Sequence, residues 1–230
     1  LAAAATLQYL ALAVTLAYPA ISRSDQNKEL YSGDTSQYVE IYQGRPLQEI
    51  WSPVRTRVVV PWLASYMPVP PATVLAKYHL DEDKLICFRF ALVNLLGTAA
   101  TACFLYLFMR GLRFGQVEAA LGGLLYLLSH EVVVNGASVF VDPWAYAAIA
   151  ASLWLSSKGR PLASALVIAA GLFVKETVVV VLPLAWLLCP AGRRPRFGLQ
   201  GLALLPYLAF RIALAGPPGK VYNWQVPLQG

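Results

Sequence analysis

Charge is scarce in this chain. Asp, Glu, Lys and Arg make up 13% of its 230 residues, against about a quarter in an average soluble domain. With 58% hydrophobic residues, that shortage excludes an ordinary soluble domain. A soluble core cannot absorb so much apolar sequence unless its helices are apolar all round, which is the membrane signature. Three cysteines make no disulfide framework; Cys87, Cys103 and Cys189 read as small hydrophobes in or at the edge of apolar helices. The two histidines, His79 and His130, stand in different segments. Neither has a second histidine at ligand spacing, so the pair His130-Glu131 is not read as a metal site. No internal repeat and no low-complexity tract interrupts the chain.

What is present is a pattern in the few charges. Three connectors carry basic residues and no acids: Met-Arg-Gly-Leu-Arg (Arg110, Arg113), Ser-Ser-Lys-Gly-Arg (Lys158, Arg160) and Ala-Gly-Arg-Arg-Pro-Arg (Arg193, Arg194, Arg196). On the alternate turns the ionisable residues include acids: Glu131, Asp142 and Glu176. This is the positive-inside alternation of a polytopic membrane protein. It accounts for seven of the 18 basic residues; the rest are scattered with no basic-aromatic stripe, so the net charge of +6 does not point to nucleic acid.

The fold expected is all-α and polytopic, with about seven transmembrane helices near 1–20, 87–109, 116–129, 143–155, 162–174, 178–188 and 199–215. Residues 1–17, with Ala-Tyr-Pro-Ala behind them, resemble a secretory signal but lack a charged leading region, so they are read as a retained first helix. Seven spans put the N-terminus and all three basic connectors inside, and the tail 216–230 outside. The stretch 162–188 is read as two short helices that meet near the outer surface at Lys175-Glu176-Thr177. Each half is about 17–20 Å long, short of the roughly 30 Å hydrocarbon core. The competing reading, one long tilted helix, would bury Lys175 and Glu176 at mid-membrane and move the third connector outside.

The large external loop, 21–86, is expected to carry amphipathic helices lying on the outer surface. Asp34-Thr-Ser-Gln-Tyr-Val-Glu-Ile-Tyr places Tyr38, Ile41 and Tyr42 on one helical face. The apolar segment 58–67 follows Arg55-Thr-Arg57. Trp51, Trp62, Tyr66 and Tyr78 suit the membrane interface.

Several residues are candidates for chemistry, each with a structural reading beside it. Asp34 fits an N-cap, with Gln37 in capping-box register; a carboxylate so held, rigid and ionised, also suits a general base. Arg55 and Arg57 suit bidentate binding of phosphate, or snorkelling to headgroups. Asp142 precedes Pro143 and suits an N-cap. Lys175 and Glu176 form an ionisable pair in an apolar stretch, where function is the default expectation; a mutual salt bridge is the alternative. Arg211, near the outer end of the last run, either snorkels or faces the same cavity.

In their order and sidedness these residues resemble the GT-C superfamily of membrane glycosyltransferases. The matching motifs are Gly-Asp34-Thr-Ser-Gln-Tyr38 early in the first external loop, Arg55-Thr-Arg57 before Pro61, Val-Asp142-Pro opening a middle helix, and Lys175-Glu-Thr177 between short helices. The likeness runs over almost the whole chain, as one module at 1–230, and full-length members of the superfamily usually have more helices. It implies an inverting transfer of sugar from a polyprenyl-phosphate-linked donor to an unnamed acceptor at the extracytoplasmic face of a bacterial cytoplasmic membrane. Asp34 would be the base. Arg55, Arg57, Lys175 and Arg211 would meet the lipid phosphate, with Asp142, Glu176 and Glu131 as supporting acids. Some members use a divalent cation and others none. Two other classes stay open: a transporter or channel whose path is lined by Lys175, Glu176 and Arg211, and a non-catalytic membrane scaffold. The large polar loop after the first helix and the lack of inverted repeats count against a transporter.

Overall fold

The computed structural model describes residues 7–15, 33–71, 73, 77, 81–135, 138–188 and 198–214. The third basic connector, the tail 216–230, Tyr78, His79, Cys189 and most of the expected first span lie outside them. The described residues are all-helical and contain no strand. A helical segment at 7–15 is followed by α1 (Gly33–Tyr42), α2 (Val59–Ser65), α3 (Glu82–Gly111), α4 (Gln116–Leu127), α5 (His130–Asn135), α6 (Asp142–Ser157), α7 (Pro161–Leu172), α8 (Val181–Leu188) and α9 (Leu204–Ala213). Short 3-10 turns at Leu47–Glu49, Glu176–Val180 and Gly198–Ala203 complete the set.

Of the spans expected from the apolar runs, one described helix is long and apolar enough to cross a bilayer: α3, with 30 residues, about 45 Å. α6 and α7, with 16 and 12 residues, keep close to the lengths of their expected runs. Pro143 and Pro161 begin α6 and α7, where proline's missing N–H costs nothing. Residues 173–175 separate α7 from the turn that leads into α8. That break answers the question posed by 162–188: the stretch is two helices, with Lys175 in extended backbone between them.

α3 is started by Asp81, whose side chain accepts from the Lys84 N–H at 2.9 Å, with Glu82 and Asp83 in the first turn and Arg110 in the last. Both charge placements complement the helix dipole. α3 and α6 run side by side in the same direction and form the most extensive contact in the molecule. Trp144 lies against Gly97 so closely that a Cβ there would come within 2.8 Å of the indole. α7 returns antiparallel to α6, and Gly171 packs against Ala148 and Val178.

Four polar residues tie the lower half of α6 to its neighbours. Ser156 Oγ lies 3.1 Å from Ser164 Oγ, Ser164 Oγ reaches the Ser152 carbonyl at 3.2 Å, and Gln200 Nε2 donates to Ser164 Oγ at 2.9 Å. All four are buried.

The two helices expected on an outer surface are built into the core. Tyr38 and Val39 from α1, and Val60 and Ala64 from α2, share one cluster with Phe90, Val141, Ile168, Leu172 and Val178. Only the outer face of α2 is open, where Trp62 and Tyr66 meet edge-on at 4.9 Å. A second cluster joins Tyr9 and Ala13 to Leu95, Ala102 and Leu127.

Polarity is divided along the bundle. Gly111, at the end of α3, sits beside Ser157 and Lys158, at the end of α6. The connectors carrying Arg110, Arg113, Lys158 and Arg160 therefore share one end. Asp142 is at the other end of α6, 16 residues and about 24 Å away.

Candidate functional site

Five ionisable residues from four separate parts of the chain meet at the end opposite the basic connectors. The centre is Arg57, 7% exposed. A tight turn holds it: Val54 and Arg55 N–H both donate to the Trp51 carbonyl, and Arg57 N–H donates to the Val54 carbonyl. Its guanidinium makes a fork with Glu176, Nε to Oε2 at 3.0 Å and Nη2 to Oε1 at 2.5 Å. Nη1 donates to Asp34 Oδ2 at 3.0 Å and to the Tyr38 hydroxyl at 2.9 Å. Asp34 and Tyr38, four residues apart on α1, present their side chains to the same cation as helical spacing requires.

Beside this group, Lys175 Nζ donates to Asp142 Oδ1 at 2.5 Å. The adjacent residues Lys175 and Glu176 do not bridge each other. Extended backbone at Lys175, with φ −160 and ψ 132, sends successive side chains to different sides. One reaches the start of α6, the other the 51–57 turn.

The ionisation of these groups follows from burial and pairing. Burial pushes the Tyr38 phenol up to about 12, against the opposing effect of Arg57, and the charges of Asp34 and Asp142 add to the rise. Burial alone would lower Arg57, but its bonds to Glu176 and Tyr38 hold it well above its ordinary value. Burial would raise Glu176; the Arg57 hydrogen bonds and its own backbone N–H overcome that and hold it below the usual carboxylate range. Asp34 is the most open of the three acids, with its side chain 40% exposed.

Both N-cap readings need correction. Asp34 lies inside the first turn of α1, entered through Gly33 at φ +53, a conformation that favours glycine. Gln37 does not close a capping box; its Oε1 accepts from the Trp51 N–H at 2.9 Å and ties α1 to the turn that bears Arg57. Asp142 is likewise the first residue of α6, with Val141 at the cap position, and its carboxylate serves Lys175.

Three of the expected site residues are not brought into the network as expected. Arg55 is buried, and its Nη1 donates to the Leu214 carbonyl at 2.7 Å, capping the end of α9. Arg211 is exposed, with one long contact of 3.5 Å to the Tyr207 hydroxyl. Glu131 is exposed on α5 and lines a cavity beside α6.

Other residues that hold the site escaped the sequence reading. Asn94, in the middle of α3, donates through Nδ2 to the carbonyls of Ser138 and Phe140 at 2.7 and 2.9 Å. Thr101 Oγ1 donates to the Pro143 carbonyl at 3.0 Å, and Trp144 Nε1 to the Val93 carbonyl at 2.9 Å. Together they fix the start of α6, and so Asp142, to the wall of α3. An asparagine amid apolar helix was the available signal, since such a side chain in a membrane span needs a partner.

The arrangement has three chemical capacities. It offers two cations to an anion, a rigid and open carboxylate to a hydroxyl, and a phenol that stays protonated through neutral pH. No three His, Cys, Asp or Glu among the described residues gather into a metal ligand set. Asp142 and Glu176 each already serve a cation, so the residues present do not fit a resident divalent ion. Set against protein-family models, curated proteins and solved structures, the chain gives no significant match in any of the three.

Proposed function

We propose that this chain is a polytopic membrane module that transfers sugar, with inversion, from a polyprenyl-phosphate donor to an acceptor at the extracytoplasmic face. The observation that carries the reading is the gathering of Asp34, Arg57 and Glu176 in one ion-paired group and Lys175 with Asp142 in a second, joined through the adjacent residues Lys175 and Glu176 at the end of the bundle away from the two described basic connectors. Positive-inside orientation would turn that end outward.

In this mechanism the acceptor hydroxyl gives its proton to Asp34 as its oxygen attacks the anomeric carbon. The bond from that carbon to the phosphate oxygen breaks, and its electron pair leaves with the polyprenyl phosphate. Lys175 and Arg57 meet the charge that develops there, and such electrostatic stabilisation is commonly the largest catalytic contribution. No step is routed through a metal. In this reading the short helices α7 and α8 would let water reach the outer leaflet, as charges at that depth require.

One observation favours a second reading, a non-catalytic scaffold: both cations already have carboxylate partners. A reconstitution experiment separates the two. Protein in liposomes, given a panel of polyprenyl-phosphate sugars together with a panel of hydroxyl acceptors, should release polyprenyl phosphate as the acceptor is glycosylated. Asp34→Asn should abolish that release while the protein still inserts in the membrane. Full activity in Asp34→Asn removes the base assignment. Absence of turnover with every donor, together with donor binding unchanged by Lys175→Ala, selects the scaffold.

A further inference from the structure

Two arginines at the end of α9 lack acidic partners. Arg55, 6% exposed, donates through Nη1 to the Leu214 carbonyl at 2.7 Å. Its Nε is buried and has no hydrogen-bond partner among the described residues. Arg211 makes one long contact, 3.5 Å from Nη1 to the Tyr207 hydroxyl. Among the described residues no carboxylate forms an ion pair with either arginine. The same Tyr207 hydroxyl lies 3.4 Å from Thr56 Oγ1, so α9 brings Arg211 to the residue next to Arg55. Leu214 follows Arg211 by three residues, close to one helical turn. Both guanidinium groups therefore stand at the same helix end.

The charges there do not balance. A helix C-terminus carries about half a negative charge, set against two full positive ones. Buried charges are ordinarily paired, as Arg57 is with Asp34 and Glu176. Arg55, two residues earlier in the same turn, has a carbonyl alone. We infer that a phosphate group binds between Arg55 and Arg211 and supplies the missing counter-charge. Guanidinium N–H groups match phosphate oxygens as a fork. A lipid phosphodiester and inorganic phosphate present the same oxygens, and the outer face of α9 points to the lipid. Leu205, Leu208 and Ile212 are exposed there, at the spacing of one helical stripe, and Arg211 falls between that stripe and the buried Tyr207. An acyl chain laid along the stripe brings its headgroup to Arg211. The site shares no residue with the ion pairs of Arg57 and Lys175, and it stands whether or not the chain transfers sugar.

The test uses the full chain purified in dodecyl maltoside. Dioleoylphosphatidylglycerol and inorganic phosphate are the probes; dioleoylglycerol, with the same chains and no phosphate, is the counter-probe. Native mass spectrometry counts bound lipid, and thermal unfolding reports stabilisation by each probe. One phosphatidylglycerol per chain is expected, binding saturably and more tightly than dioleoylglycerol. Arg211→Gln, at an exposed position, should weaken that binding about tenfold. Arg55→Lys keeps the charge but not the fork and should weaken it as well; if this buried change unfolds the chain, Arg211→Gln still decides. Arg160→Gln, an exposed arginine at the opposite end of the bundle, should leave binding unchanged. Stabilisation by inorganic phosphate alone, lost in Arg211→Gln, would uphold the site and make free phosphate its ligand. Equal binding of dioleoylglycerol, affinity unchanged in either site variant that folds, an equal loss in Arg160→Gln, or no response to either phosphate probe overturns the inference.

Discussion

The two ends of α6 solve the same problem with different chemistry. Both bury polar groups against α7 and its continuation. At the lower end, the hydroxyls of Ser156 and Ser164, the Gln200 amide and the Ser152 backbone carbonyl satisfy one another as neutral groups. At the upper end, Asp142 meets Lys175, and the neighbouring Glu176 meets Arg57 with full charges. Neutral hydrogen bonds contribute modestly, about 0.5–1.5 kcal/mol each, and need no change when an ion arrives. A charge pair desolvates both partners and holds only while they stay together. A fold that needed only rigidity would be served by hydroxyls at both ends. Under the proposed function, the paired charges at the upper end would be the place where a charged ligand exchanges with a protein partner.

Three perturbations sharpen that contrast. The largest effect should come from Arg57→Ala. It leaves Glu176, Asp34 and the Tyr38 hydroxyl without their shared donor, and breaking a buried pair costs about 3–5 kcal/mol. Loss of cooperative unfolding, or a large fall in unfolding temperature, is the expected result; a variant as stable as the parent would show the network to be weak. Acid should have an intermediate effect, at the upper end only. Glu176 is held below its ordinary value of 4.5, so its contribution is full above that pH. It is lost as pH falls through the lower folded value. The stability gap between the parent and Glu176→Gln should therefore narrow as pH drops below 4.5, and a gap independent of pH would contradict the pairing. The smallest effect should be that of Ser164→Ala, about 0.6–1.7 kcal/mol and unchanged by acid. A cost as large as that of Arg57→Ala would erase the distinction between the ends.

Much of the site was legible from residue order and sidedness. The break between the short helices follows from Lys175-Glu176 in apolar sequence, and the structure puts extended backbone there. Asp34, Arg57, Asp142, Lys175 and Glu176 were all singled out, and all five are ion-paired at this end of the bundle, in two neighbouring groups. Their pairing was not legible. A Lys-Glu dipeptide suggests a mutual bridge, but the backbone at Lys175 parts the two side chains. Arg55 and Arg57 share one turn and look equivalent in sequence. Which of them faces the acids depends on the local turn geometry, and the other is taken up by the end of α9. Helix positions were legible from the apolar runs: α3 and α6 contain the expected 87–109 and 143–155 and extend beyond them, while among the described residues α3 alone has the length and hydropathy of a membrane span.

The extended backbone at Lys175 has a mechanical consequence. Neighbouring side chains on one short strut grip two different walls, the start of α6 and the loop before α2. A twist of that strut loosens both grips together, so the two walls are geared to part in one movement instead of two.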